Sequence, residues 1–314
     1  MEGYSLLRQL REVLNETSTG TFLNDRTSYD YLYTAVQDFI LRTHYNTTNQ
    51  SITVVPGTST YNLNPDYIGL SLMDQYNRPY IKWTIGTADS FIFQQDYQTV
   101  FLENNTSTAS VPASFSIVAS DRVSNLSGTT NAVGASSNGE CTLTDTTADF
   151  TNVTPGDFVH NTTQGTDGVV VSVTDTTHIV TSLFNDGTSG SAWDSGDSYT
   201  IVPQSRWKIV FTPTPSSAAT VTIPYLKRPD PVYSVYRAYN LPFNYTGALV
   251  QFAAFMYKYK DREPNYGDAF FKYYDGFIRK IASELRKGTL EKSGMRVNLS
   301  KLNGRSRTIG NWSR

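Results

Sequence analysis

The chain has 314 residues, 39% apolar, 13% aromatic and 17% charged, enough for about two domains of roughly 150 residues that each bury a core. No apolar run reaches the roughly 18 residues a membrane span needs, and one cysteine, Cys141, excludes an internal disulfide framework and a cysteine-ligated zinc site. The net charge of −2 is segregated: 124–203 holds nine acids and no Lys or Arg, whereas 286–314 holds eight bases and one acid, Glu291, so the two stretches belong to modules with different neighbours.

Leu6, Leu7, Leu10, Val13 and Leu14 recur at three- and four-residue spacing and predict a first helix, stopped by 15–20. Charges inside this amphipathic start argue against a signal peptide. A second helix is expected to open at Thr27 or Ser28 as N-cap, with Asp30 near the positive end of the dipole and Leu32, Ala35, Val36, Phe39 and Ile40 buried. From Gln50 the period switches to two. Segments 51–55 and 58–63 flank Pro56-Gly57 and predict a hairpin; 68–73, 80–85, 90–93 and 114–119 read as further strands.

The composition then changes. Residues 124–203 hold 27 Ser or Thr in 80, with short β segments at 141–143, 158–160, 168–173, 178–182 and 198–202, and turn chemistry at Pro155-Gly156-Asp157 and Ser195-Gly196-Asp197. Strands at 207–212 and 220–226 resume the earlier style. Segments 114–119 and 207–212 therefore read as sheet neighbours parted by a β insertion, tolerated because the two ends of an exposed hairpin tip are already close. Two more helices follow. Residues 244–260 carry Ala248, Leu249, Phe252, Phe255, Met256 and Tyr259; 266–287 place Phe270, Tyr274, Phe277, Ile281 and Leu285 on one face, and Gly288 is expected to end the helix. Residues 289–314 lack an apolar stripe and carry six bases against Glu291, the composition of an extended arm.

These elements predict an α+β fold: a four-helix bundle of two N-terminal and two C-terminal helices, an antiparallel β domain, an inserted small all-β domain and an extended C-terminal arm. The expected boundaries are 1–49 for the N-terminal helices, 50–123 plus 204–240 for the β domain, 124–203 for the insert, 241–288 for the C-terminal helices and 289–314 for the arm. Phe252, Phe255, Phe270, Phe277 and Ile281 are the expected bundle core. Tyr257, Tyr259 and Tyr273, whose hydroxyls tolerate a partly wet boundary, are the expected subunit contacts.

Catalytic chemistry has little to stand on. His44, His160 and His178 show no metal spacing, and the acid pairs Asp145/Asp149 and Asp194/Asp197 match no calcium loop. There is no phosphate-cradling glycine loop and no Gly-x-Ser-x-Gly elbow. The sequence predicts neither an enzyme nor a cofactor or metal. Eleven Asn-x-Ser/Thr triplets, from Asn15 to Asn311, fit chance in so Asn- and Thr-rich a chain better than glycosylation. The basic arm fits nucleic acid, a solvated tail or an acidic protein groove about equally well.

The order of the segments resembles the head-to-tail adaptor (connector, or head-completion) proteins of tailed bacteriophages. It runs from a helical start to Ile52-Thr-Val-Val-Pro-Gly, then Trp207-Lys-Ile-Val-Phe-Thr-Pro, Val221-Thr-Ile-Pro-Tyr-Leu-Lys-Arg-Pro, and Asn240-Leu-Pro before two helices and an arm. The insert, with Gly156-Asp-Phe-Val-His-Asn-Thr-Thr, is similar to a small β module of phage virion proteins and departs from the plain adaptor pattern. The resemblance implies a dodecameric ring below the portal, continuing the DNA channel without reading sequence and offering a platform to a tail nozzle or tail tube. It implies a location in the virion neck after assembly in the host cytoplasm, with no membrane. Residues Lys292, Arg296, Lys301, Arg305, Arg307, Trp312 and Arg314 would be the portal-docking arm; the resemblance carries no role for the insert, for which fibre proteins are a candidate partner. The alternatives are a tail-fibre or receptor-binding protein, favoured by the Ser/Thr-rich insert, and a cell-wall-degrading virion enzyme using paired carboxylates.

Overall fold

A computed structural model describes residues 2–16, 25–73, 78–103, 107–121, 123–137, 140–185, 188–189, 192–204, 206–234, 237–260 and 264–292. Among these are five α-helices: α1 (Gly3–Leu14), α2 (Asp25–Thr43), α3 (Tyr97–Glu103), α4 (Thr246–Lys260) and α5 (Pro264–Lys292). Two eight-stranded sheets surround and follow them.

The first sheet runs in the order Thr47–Val54, Ala219–Lys227, Tyr80–Ile85, Ala88–Gln94, Ser114–Ala119, Trp207–Thr212, Thr60–Asn62, with Tyr67–Leu70 also on Ala219–Lys227. It curls into a near-barrel because its two outermost strands come back together. The Gln50 amide donates to the carbonyl of Asn62 at 3.2 Å, and the Asn64 N–H donates to Gln50 Oε1 at 2.9 Å. Alternate residues point inward: Ile52, Val54, Ile81, Trp83, Ile92, Phe115, Ile209, Phe211, Val221 and Ile223 fill the interior. Trp83 and Phe211 meet edge to ring at 5.2 Å, and burying each contributes roughly 2–3 kcal/mol.

The second sheet is built wholly from 126–202, in the order Leu126–Thr129, Ser198–Val202, Phe158–Asn161, Thr166–Val173, His178–Asn185, Glu140–Thr144, Ser136–Ser137, with Thr188–Ser189 also on His178–Asn185. It curves as a half-barrel over its own core of Leu143, Phe150, Val159, Val170, Ile179, Trp193, Tyr199 and Ile201. Its first and last long strands pair with each other, and on the other sheet Ser114–Ala119 pairs with Trp207–Thr212, Ala119 opposite Trp207.

The expected α+β chain led by a four-helix bundle is overturned: the molecule is mainly β, dominated by the near-barrel and the half-barrel. The helical stripes do not close on one another alone. Leu6, Leu10, Leu32, Phe39, Leu249 and Tyr274 share their cluster with Leu226 from a strand end and with Val232, Tyr233 and Tyr239 from the loop after it. The helices are thus a layer laid on the sheets.

Three further expectations change. Segments 51–55 and 58–63 do not form a hairpin. Thr47–Val54 takes an eight-residue register with Ala219–Lys227, while Thr60–Asn62 pairs with Trp207–Thr212. The Tyr61 hydroxyl instead bridges the turn, accepting from Val55 N–H at 2.8 Å. Gly288 does not stop α5, which continues to Lys292. Helix α3 has no counterpart among the predicted elements: seven residues make barely two turns, too few for a 3.6-residue period to register.

Candidate interaction surface

The α4–α5 hairpin carries most of the residues expected to mediate contacts. Phe252 packs on Tyr274 at 4.9 Å and Phe255 on Phe271 at 5.0 Å, so the two helices lock through edge-to-ring aromatics. Tyr274 is fully buried and its hydroxyl donates to the Asp38 carboxylate of α2; burial first, then that carboxylate, push the phenol well above its usual range. Arg42 completes the knot, pairing with Asp38 at 2.9 Å and Asp275 at 3.2 Å and lying over the Phe271 and Tyr274 rings.

The buried stripe of α5 is Tyr274, Ile278 and Ile281, at i, i+4 and i+7. Phe277 is 42% exposed, which overturns its place in the core; Phe270 and Phe255 are half-buried against the cluster, and Phe252 and Ile281 are inside it. Two adjacent stripes, 270–273–277 and 274–278–281, both have helical spacing, and aromatic residues occupy both, so periodicity could not say which one faces inward.

The three tyrosines separate. Tyr257 is only 3% exposed and its hydroxyl donates to Glu16 Oε1 at 2.6 Å, tying α4 to the end of α1; it has no surface to offer another subunit. Tyr259 is 49% exposed, its hydroxyl donating to Asp268 at 3.0 Å. A Cβ at residue 267 would come within 2.7 Å of the Tyr259 ring, so glycine lets that ring lie against α5. Tyr273 is 66% exposed. Tyr273, Phe277 and the exposed Lys280 stand at i, i+4 and i+7 on the outer side of α5, while the exposed Arg279 pairs with Asp275 at 2.8 Å. That side is therefore an aromatic strip with a cation at one end. Of the expected arm, Lys292 is the last residue of α5, and Arg296, Lys301, Arg305, Arg307, Trp312 and Arg314 lie outside the described residues.

The acids of the insert are less available than composition implies. Asp145, Asp157 and Asp197 are buried. Asp145 accepts from the Thr147 N–H at 2.9 Å and the Tyr199 hydroxyl at 2.8 Å; burial alone would raise its carboxyl, but these bonds outweigh burial and hold it below the usual range. Asp197 accepts from Asn161 Nδ2 at 2.8 Å and Gln164 Nε2 at 2.7 Å. Asp149 and Asp175 cap turns through the N–H groups of Thr151 and Thr177, and Asp194 accepts from Gln164. The acid pairs of the sequence are thus turn chemistry, and no group of three His, Cys, Asp or Glu capable of holding a metal occurs among the described residues. His160 pairs with Asp167 at 2.5 Å and His178 with Asp175 at 2.9 Å. Burial pushes the Cys141 thiol up to about 11.

Sequence reasoning missed how the insert is fixed. Asp157 takes the Gln204 N–H at 3.0 Å and Arg206 at 3.4 Å, Arg237 reaches Glu140, and Val169 packs on the helical cluster. Only one signal was present: Arg206 is the first base after an 83-residue stretch, 123–205, without any. A cleft of about 300 Å³ lies at this junction, lined by Asn64, Asp66, Thr154, Lys227, Arg228 and Asp230. No described helix is long and apolar enough to cross a membrane.

No family model matches the chain, and no curated protein matches it.

Proposed function

We propose that the protein is a structural component of a tailed-phage neck, a head-to-tail adaptor that rings the DNA path beneath the portal and carries the tail. The observation that carries this reading is the outer side of α5: a helix held through Tyr274 and Arg42 presents Tyr273 and Phe277 to solvent with Lys280 on the same face, just before the basic arm. Exposed aromatics with charged neighbours on a rigid helix are the anatomy of a protein-binding strip. The order of segments in the sequence supplies the rest. In the proposed ring, Tyr259, Tyr273 and Phe277 meet the adjacent subunit, and the arm docks in an acidic portal groove, gaining long-range attraction and salt-sensitive contacts.

The test is co-sedimentation of the full chain with the cognate portal at moderate salt. Binding is expected, weakened by rising salt and abolished when Arg305, Arg307 and Arg314 are all changed to Glu. Undiminished binding by that triple variant would sink the docking role of the arm.

A further inference from the structure

The strand Thr47–Val54 is an edge without protection. Lys227 N–H donates to the Asn46 carbonyl at 2.9 Å, which sets the antiparallel phase: the even residues 46–54 bond to Ala219–Lys227, and Thr47, Asn49, Ser51 and Thr53 turn their N–H and C=O groups away from it. Those eight groups make no hydrogen bond among the described residues. Across the gap, Thr60 and Asn62 likewise turn away from Trp207–Thr212, since Ser59 and Leu63 bond to it. Among the described residues the Gln50 side chain spans the opening, and the Tyr61 hydroxyl closes its far end on Val55. Exposed edges are normally blunted by Lys, Pro, a bulge or a covering segment. The run Thr-Thr-Asn-Gln-Ser-Ile-Thr-Val has no charge, no proline and no break in its register.

We infer that this open seam receives residues 295–301 from a neighbouring copy of the chain as an added β-strand. The inference rests on the ring reading only for placing copies side by side. Beyond α5 the chain continues through 293–314, and residue 295 stands three residues past Lys292, within about 10 Å of the helix end at roughly 3.3 Å per residue, so the seam in reach is that of a copy lying against that end. Within it, Met295, Val297 and Leu299 alternate with Arg296, Asn298 and Ser300. That period of two puts one apolar and one polar face on a strand. The seam asks for the same division: Ile52 and Val54 lie on its inner side, and Thr47, Asn49, Ser51 and Thr53 on its outer side. Main-chain bonds supply affinity in such additions and the alternating side chains supply register. The more distal Arg305, Arg307, Trp312 and Arg314 stay available for another partner.

Hydrogen exchange of the full-length chain, read over 47–54 at low and high protein concentration, tests this without any portal. The amides of Thr47, Asn49, Ser51 and Thr53 should slow at least tenfold as concentration rises. The slowing should vanish in Val297→Asp, which alters only the donated segment. It should also vanish in Ser51→Pro, whose lost N–H bonds nothing within its own sheet. Protection present at every concentration would mean that the strand comes from the same chain and overturns the neighbour as donor. Absent protection, or protection that Val297→Asp leaves intact, overturns the segment. Concentration-dependent protection without portal binding would keep this inference and remove the adaptor reading.

Discussion

The helical layer and the insert use carboxylates in opposite ways. In the insert three turns are closed by an Asp that accepts from an N–H two residues on, Asp145 from Thr147, Asp149 from Thr151 and Asp175 from Thr177, with Asp145 also taking the Tyr199 hydroxyl. In the helical layer carboxylates receive tyrosine hydroxyls from far along the chain, Asp38 from Tyr274, Asp30 from Tyr233 and Glu16 from Tyr257. The first kind fixes local shape; the second decides which elements meet. Losing a long-range tie therefore loosens packing between elements, whereas losing a turn bond is absorbed by water at an exposed loop.

The sharpest way to break this comparison is at the α5 stripe. Ile278→Ala should cost about 2–5 kcal/mol in chemical denaturation as a core truncation, and Phe277→Ala less than about 1 kcal/mol because that ring is already half in water. Equal losses would mean that α5 is rotated from its described phase. At the seam between insert and body, Arg206→Ala should cost about 1–3 kcal/mol, since Asp157 keeps its two N–H donors but loses its cation. A neutral outcome would show the insert to be tethered only by its strands. Tyr274→Phe should cost about 0.5–1.5 kcal/mol, softened because Arg42 still holds Asp38; Asp149→Ala, which removes an exposed turn bond, should lower the midpoint by less than that.

Acid separates the two regions by sign. Hydrogen bonds to Thr177 and His178 lower Asp175 to about 2, and Asp145 and Asp149 are also depressed. Depressed carboxyls contribute stability above their unfolded value of about 3.9 and lose it as pH falls through the folded value, so the insert should weaken between about pH 4 and 2. Asp30 is raised, by burial first and against its bond from Tyr233. Its folded form holds the proton more tightly, so the helical layer should gain from this group as pH falls from that raised value towards about 3.9. Region-resolved hydrogen exchange across pH 6 to 2 would show it; both regions weakening together from pH 6 would refute the contrast.

The same division explains what could be read from sequence. Turn chemistry is local, so Pro155-Gly156-Asp157, Ser195-Gly196-Asp197 and the strands they precede were legible. Helical stripes were legible as stripes, yet their inward phase in α5 depended on Asp38 and Arg42, over 230 residues away. The Pro56-Gly57 hairpin failed for a related reason: an eight-residue register with Ala219–Lys227 outweighs a short local pairing. The dominance of sheet over helix followed from how strands close into barrels, which local periodicity does not encode.

The central claim is positional, and an image of the particle neck containing a tagged version of this chain tests it most directly. The account predicts twelve tags in a ring immediately beneath the portal; tags clustered in threes at the tail tip or along fibres would contradict it.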